Sequence, residues 1–218
     1  MFHYCPPKDL QDLQATTFPD GKRYYQLPDG TRLPSVTTVI GAKGKEAILA
    51  WRKRVGEEEA NKISRKASSR GTNVHTLCER YLNNEPLGEI MPDAKAMFLP
   101  LKPILDECVS DIWYQEQALW STTLGMAGRV DLIAHWNGVL SIIDFKTSSR
   151  IKTRDKIESY FWQECAYALM LEEMIGEPVN QLVTLMAVDN EKPLIFIEKT
   201  EDHIDGLVDA IKFYRENS

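Results

Sequence analysis

The spacing of hydrophobic residues changes once along the chain, from a mainly helical first half to a second half rich in strands. Over residues 45–83 apolar residues recur at helical spacing, which predicts two or three helices. A further helix is predicted over residues 93–110, interrupted by Pro100 and Pro103. From residue 112 onward short apolar runs alternate with turn signals, which is typical of strands.

Five strands are predicted in the second half, at residues 112–120, 126–135, 139–145, 182–188 and 194–198. A long helix over residues 156–175 separates the third strand from the fourth and ends at Gly176, and an amphipathic helix follows over residues 202–215. This order of elements predicts an α/β fold with a central mixed sheet flanked by helices.

The segment before residue 67 is less regular. Pro28-Asp29-Gly30 is a turn signal between two short strands, which predicts a small hairpin. Residues 36–40 fit either a strand or the start of a helix. We therefore predict an N-terminal hairpin and helical segment over residues 1–66 and a core over residues 67–218, together forming one compact unit.

Composition narrows the class of protein. A chain of 218 residues with 43% hydrophobic content fits one domain with a substantial core. It has no apolar run near the roughly 20 residues of a membrane span and no signal-peptide core at its start, so we expect a cytoplasmic protein with no membrane partner. The four cysteines form no CxxC pair, which favours reduced packing thiols over a zinc or iron–sulfur site.

The net charge of −6 does not suggest a nucleic-acid-binding protein, but the basic residues are clustered. One cluster comprises Lys43, Lys45, Arg52, Lys53, Arg54, Lys62, Arg65, Lys66 and Arg70, and a second comprises Lys146, Arg150, Lys152, Arg154 and Lys156. Both could be solvated helix faces or charged loops. The second follows the candidate site directly, where basic groups would hold a phosphate backbone.

The candidate site lies on the second and third strands of the core. Gly128-x-x-Asp131 is on one strand, Asp144-Phe145-Lys146 ends the next, and Asn137-Gly138 is the turn between them. Antiparallel pairing across this turn places Asp131 opposite Asp144. Two carboxylates within about 6 Å repel unless a cation or proton lies between them. We therefore predict a divalent-cation site, with Lys146 positioning a water for attack on a phosphodiester.

A D-x-K triplet alone is weak evidence, because chance predicts about one in a chain of this composition. Asp93-Ala94-Lys95 is a second such triplet, but it lies in a helical pattern with no apolar strand before it. The alternative for Asp144 and Lys146 is a purely structural ion pair. Gly128 is expected to let a substrate or metal-bound backbone approach closely.

Two helical pairs could complete the site. His75 and Glu79 are four residues apart and share a helix face, where they could bind a metal or form an ordinary surface pair. Gln163 and Tyr167 have the same spacing and could contact a nucleotide or simply form the polar edge of a helix.

Four motifs, RGTNVHTLCERYL, GRVDLIA, IIDFKTS and QECAYAL, resemble the RecB-like branch of the PD-(D/E)XK nucleases in order and spacing. The segment PSVTTVIG is similar to the entry segment of the mitochondrial genome maintenance exonucleases and related bacteriophage exonucleases. The resemblance covers roughly residues 34–188 and implies a restriction-endonuclease-like core.

The resemblance implies a role for each matching residue. It implies metal ligation by His75, Asp131, Asp144 and the backbone carbonyl of Phe145, with Glu79 as a further candidate, and catalysis by Lys146 together with Asp131 and Asp144. The residues expected to bind DNA are Arg70, Thr147, Ser148, Arg150, Gln163 and Tyr167. One or two Mg²⁺ or Mn²⁺ ions are expected, and no iron–sulfur cluster, since the cluster-binding cysteines of some members are missing.

The implied function is a metal-dependent exonuclease acting on DNA ends or single strands in replication, recombination or repair. Residues 1–66 would then form one wall of a DNA groove or of a channel for a threaded strand. Two alternatives remain open: a structure-specific or restriction-type endonuclease, and an inactive nuclease fold that binds DNA or protein.

Overall fold

A small antiparallel sheet opens the chain in the computed structural model, which describes residues 1–19 and 21–217. Its strands are β1 (Ala15–Thr17), β2 (Arg23–Gln26) and β3 (Arg32–Pro34). Strands β2 and β3 form the predicted hairpin, whereas β1 was not predicted.

Residues 36–40 lie in a helix, α1 (Val36–Gly41), which resolves the ambiguity of their pattern. The hydroxyl of Ser35 accepts a hydrogen bond from the backbone N–H of Thr38 at 3.1 Å. This bond caps the first turn and favours helix over strand at this point.

Four further helices complete the first half: α2 (Lys45–Val55), α3 (Glu57–Leu82), α4 (Pro92–Phe98) and α5 (Lys102–Cys108). Gly56, with a φ of 92°, separates α2 from α3. The single interrupted helix predicted over residues 93–110 is therefore two helices. Pro92 and Pro103 each lie in the first turn of a helix, where proline is well tolerated because that N–H has no intrahelical acceptor.

The second half forms the predicted mixed sheet. Its elements are β4 (Val109–Ser121), β5 (Met126–Trp136), β6 (Val139–Ser148), α6 (Glu158–Ile175), β7 (Gln181–Val188), β8 (Leu194–Lys199) and α7 (Ile204–Glu216). The strands lie in the order β4-β5-β6-β7-β8, and only the β6–β7 pair within this sheet is parallel. Helix α6 connects these two strands, because a parallel pair needs a crossover.

Helices cover both faces of the sheet. On one face Ile133 and Ile142 pack with α1, α6 and α7. On the other face Leu132, Ile143 and Phe145 pack with α3, α4 and α5. Burial on both faces explains why the central strands have almost continuous apolar runs, as in IIDF. Because side chains alternate along β6, Asp144 and Lys146 share the face of Ile142 and point toward α6.

Helix α2 and the first half of α3, residues 45–69, form an exposed basic arm. All the side chains of α2 are exposed or half-buried, and Ile48 and Leu49 are each 55% exposed. Helix α3 runs without a break through residues 66 and 67, the predicted boundary of the core, and its second half packs against the sheet. Within the described residues, the longest apolar helical stretches fall short of what a membrane span requires.

Candidate active site

Strands β5 and β6 part at Asp131, at one end of the sheet. Their pairing runs from Trp136↔Val139 to Leu132↔Ile143, which is the register predicted across the Asn137-Gly138 turn. One residue further, the backbone N–H of Phe145 donates to Oδ2 of Asp131 at 2.8 Å. The carboxylate of Asp131 thus accepts the hydrogen bond that a backbone carbonyl of β5 would accept in a continuous ladder. The backbone pairing of β5 with β6 ends at Leu132↔Ile143, and Asp131 and Asp144 are the next residues, where the two strands separate.

Asp144 is buried in an ion pair. Its carboxyl is 1% exposed, and Oδ2 contacts the ammonium of Lys146. Oδ1 accepts a hydrogen bond from the Gln163 amide at 3.2 Å. The Lys146 ammonium also lies 5.0 Å from the centre of the Tyr160 ring. The ion pair that sequence analysis raised as an alternative is therefore present.

Gln163 connects the members of this cluster. Its Oε1 accepts from Lys146 at 3.5 Å, and its Nε2 lies 3.5 Å from the hydroxyl of Tyr167. Gln163 and Tyr167 are one turn apart on the side of α6 that faces the sheet, and the side chain of Gln163 reaches both Asp144 and Lys146 of β6. Gln163 and Tyr167 therefore support the Asp144–Lys146 ion pair from the side of α6, in addition to any contact with a substrate.

Gly128 makes room for Tyr167. A Cβ at residue 128 would lie 2.8 Å from Cε1 and 2.9 Å from the hydroxyl of Tyr167, and 3.0 Å from Cγ2 of Val36. The close approach is between a strand and the tyrosine ring that covers it. Gly128 also lines the cleft beside His75 and Asp131, so the expectation that it admits a substrate or metal-bound backbone stays a prediction.

His75 reaches the same point from α3. Its Nδ1 is 3.5 Å from Oδ2 of Asp131, and its ring packs edge-on against Phe145. Burial by itself lowers the pKa of His75, but the charge and hydrogen bond of Asp131 outweigh it and raise the pKa to about 9. Burial raises the pKa of Asp131, but His75 and Lys146 outweigh this effect and lower it. The two side chains therefore form a charged pair near neutral pH.

For the two acids beneath the cleft, Asp144 and Glu164, burial outweighs the neighbouring positive charge, so their net pKa shift is upward. Burial raises the pKa of Asp144 to about 6, against the attraction of Lys146 and with the repulsion of Asp131. Burial and the charge of Asp144 raise the pKa of Glu164 well above its usual range. Glu164, which sequence analysis did not single out, accepts a hydrogen bond from the hydroxyl of Thr184 and has its other oxygen buried.

An open cleft of about 510 Å³ lies beside His75 and Asp131. Its walls come from the small sheet, α1, α3, β4, β5 and α6, and they include Arg23, Thr72, Glu79, Glu116 and Gln163. Ligand atoms of His75, Glu116 and Asp131 lie within 4.8 Å of one another. Glu79 lines the cleft but is outside this group.

Glu116 was not predicted. Burial, Asp131 and Glu79 raise the pKa of Glu116 to about 7. Strands β4 and β5 form a hairpin, so extending the register analysis to it would have placed Glu116 opposite Asp131.

The residues expected to bind DNA differ in accessibility. Arg70 is only 11% exposed and lies 3.6 Å from Asp189. Ser148 is buried, and its hydroxyl donates to the carbonyl of Arg150 at 2.6 Å, so it shapes the loop after β6. Arg150 itself is exposed, and Thr147 is half-buried beside Gly71 of α3.

A mixed sheet that places two carboxylates and a lysine where neighbouring strands part is an arrangement suited to phosphodiester hydrolysis. Residues 112–212, just under half of the chain, match the family model of the PD-(D/E)XK nuclease superfamily, which supports the superfamily predicted from the sequence and a nuclease. The RecB-like branch stays a prediction.

Two solved structures are similar to the chain. The crystal structure of a protein named "Putative exonuclease" from Eubacterium rectale is 13% identical, with a TM-score of 0.48 over 69% of this chain and 65% of that one. The crystal structure of the protein SSO0001 is also 13% identical, with a TM-score of 0.40 over 82% of this chain and 74% of that one. This chain thus spans about 65% of the first structure's length. The search of curated proteins finds no significant match.

Nucleases of this superfamily generally use divalent metal ions, and the side chains here fit such an ion. The imidazole of His75 and the carboxylates of Asp131 and Glu116 have ligand atoms within 4.8 Å of one another, the carboxylate of Asp144 is buried near Asp131, and carboxylate oxygens suit Mg²⁺ or Mn²⁺. The three acids outnumber the positive charges of His75 and Lys146. In addition, Oδ2 of Asp144 is buried, and the group that contacts it is the Lys146 ammonium.

Proposed function

We propose that the protein is a Mg²⁺- or Mn²⁺-dependent deoxyribonuclease that acts as an exonuclease on DNA ends or single strands. The observation that carries the proposal is the meeting of Asp131, Asp144 and Lys146 where β5 and β6 part, with His75 beside them. A structural ion pair needs only Asp144 and Lys146, so it does not account for Asp131 and His75.

We assign the metal to His75, Asp131, Asp144 and the backbone carbonyl of Phe145. A divalent cation there supplies Lewis-acid stabilisation of the charge that builds on a phosphate during hydrolysis. Lys146 contributes a fixed positive charge and N–H donors, which orient the attacking water and stabilise developing negative charge. Gln163 holds Lys146 and Asp144 in place, because it contacts both.

The surroundings of the cleft favour an unpaired strand. A cleft of about 510 Å³ has the size of a small-ligand pocket, which suits an unpaired nucleotide better than a duplex. The basic arm leads along α3 into the cleft wall at Gly71, Thr72 and His75. Its exposed lysines and arginines offer phosphate contacts for the incoming strand, and Arg150 offers another on the loop after β6.

The test is a cleavage assay with linear DNA labelled at either end, linear single strands and closed circular DNA. Each substrate is incubated with Mg²⁺, Mn²⁺ or EDTA and with the wild type or Asp144→Asn. Asp93→Asn is the matched control, because it changes the aspartate of the other D-x-K triplet. We expect metal-dependent shortening of linear DNA, intact circles, and a loss of at least about 100-fold in rate for Asp144→Asn alone.

Three results would contradict parts of the proposal. Cutting of closed circles would identify an endonuclease. Cleavage confined to RNA would exclude the assigned substrate. A folded protein that binds DNA but cleaves nothing with either metal would be an inactive member of the fold.

A further inference from the structure

Glu116 lies opposite Asp131, at a break in the pairing of β4 with β5. Gln115 pairs with Leu132 and Gln117 with Val130, but the residue between them departs from the ladder. Glu116 has a φ of 48°, in the left-handed region that residues other than glycine rarely adopt. Such a conformation persists only where the surroundings hold it.

Arg129 holds this conformation from the neighbouring strand. Its guanidinium donates to the backbone carbonyl of Glu116, to the carbonyl of Leu13 at 2.9 Å and to Oδ1 of Asp12 at 2.7 Å. Arg129 is therefore engaged with Asp12 and two carbonyls. Among residues 1–19 and 21–217, no hydrogen bond or ion pair is made to the Glu116 carboxylate.

This unpaired carboxylate meets two groups that bind cations. Ligand atoms of Glu116, His75 and Asp131 lie within 4.8 Å of one another, and all three residues line the cleft. Like charges directly opposite on neighbouring strands repel, and a cation between them reverses the sign of the interaction. Asp144, by contrast, has its oxygens against Lys146 and Gln163.

We propose that Glu116 is a ligand of the divalent cation in this cleft, together with His75 and Asp131. The inference rests on the proposed function in that both require a cation at this site. It adds a carboxylate that the motifs do not include and places it on β4, outside the two strands that carry Asp131 and Asp144. The carboxylate oxygens of Glu116 and Asp131 are ligands of the kind that suits Mn²⁺ and Mg²⁺.

The test measures Mn²⁺ binding without nucleic acid, from the electron paramagnetic resonance signal of free Mn²⁺. Glu116→Gln is expected to weaken Mn²⁺ affinity by at least about tenfold, and Glu116→Asp to weaken it less. The matched control is Glu107→Gln, which removes one charge from an exposed residue of α5 and should leave the affinity unchanged. Glu79→Gln tests the rival carboxylate of the same cleft.

Thermal unfolding without metal separates ligation from a structural role. Metal-free Glu116→Gln should melt at or above the wild-type temperature, because one of two facing charges is removed. Wild-type Mn²⁺ affinity in Glu116→Gln, or a loss confined to Glu79→Gln, would overturn the proposal. If Glu116→Gln fails to fold, Glu116→Asp decides: an affinity equal to wild type refutes ligation.

The outcomes also separate this inference from the proposed function. Glu116-dependent Mn²⁺ binding without DNA cleavage would leave the inference standing and refute the nuclease. Metal-dependent DNA cleavage that requires Asp144, together with wild-type Mn²⁺ affinity in Glu116→Gln, would support the nuclease and refute the role of Glu116. A wild-type protein that binds no Mn²⁺ would refute both.

Discussion

Replacing Lys146 with methionine removes the positive charge against the buried Asp144 carboxylate and keeps a side chain of similar length. Asp144 is 1% exposed, so water cannot replace the lost partner. Removing one member of a buried ion pair costs about 3–5 kcal/mol when the remaining charge stays ionised. We expect the free energy of unfolding of Lys146→Met to fall by about this amount near pH 8.

The loss should depend on pH, because protonation neutralises Asp144. Burial already raises the pKa of Asp144 from 3.8 to about 6 in the folded protein. Between pH 3.8 and about 6 the folded protein therefore holds a proton on Asp144 that the unfolded chain has lost. As the pH rises through this range, ionisation of Asp144 lowers the free energy of unfolding by about 3 kcal/mol in all. Without Lys146 the pKa rises further, so the carboxyl is mostly neutral near pH 5 and the penalty there is small.

Urea denaturation of the metal-free protein, in EDTA at about pH 5 and about pH 8, measures both free energies of unfolding. Lys95→Met is the control, because Lys95 is the exposed lysine of the Asp93-Ala94-Lys95 triplet. The double variant Asp144→Asn/Lys146→Met should recover much of the stability near pH 8. Equal losses at the two pH values, or a loss no larger than that of Lys95→Met, would refute the reasoning.

Two further predictions concern the His75–Asp131 pair and the packing of Tyr167 against Gly128. Because the pKa of His75 is raised from 6.5 to about 9, its pair with Asp131 stabilises the metal-free fold fully below about pH 6.5 and is lost as the pH rises through 9. The melting temperature of the wild type should fall over that range, and His75→Gln should remove this component of the pH dependence. Gly128→Ala should lower the free energy of unfolding by about 1–3 kcal/mol, since its Cβ would lie 2.8 Å from Tyr167. Gly41→Ala, with no atom within 4 Å of the added Cβ, should not show this loss, and urea denaturation compares the two.

Much of the core could be predicted from the sequence because the information is local. Short apolar runs bounded by turn signals identify the five strands of the large sheet. The short Asn137-Gly138 turn sets the register of β5 against β6, which brings Asp131 to Asp144. Alternation along β6 places Asp144 and Lys146 on one face, so their ion pair also follows from sequence.

Other features depend on segments that are distant in sequence. Gly128 has a Tyr167 ring over it only because α6 crosses back onto β5. Arg70, one of the expected DNA contacts, lies against Asp189 after β7. The hydroxyl of Thr184 meets Glu164 because β7 lies beside β6 in parallel. No local pattern encodes these contacts, since each requires the arrangement of helices on the sheet.

By itself the sequence determined the strand pair, its register and the Asp131, Asp144 and Lys146 cluster, because a tight turn leaves few ways to align two apolar strands. Only the tertiary structure decided which groups surround that cluster. His75 comes from α3 on one face of the sheet, and Gln163 comes from α6 on the other. The packing of these helices on the two faces of the sheet brings together residues that are distant in sequence, and the hydrophobic periodicity of the chain does not predict which residues meet.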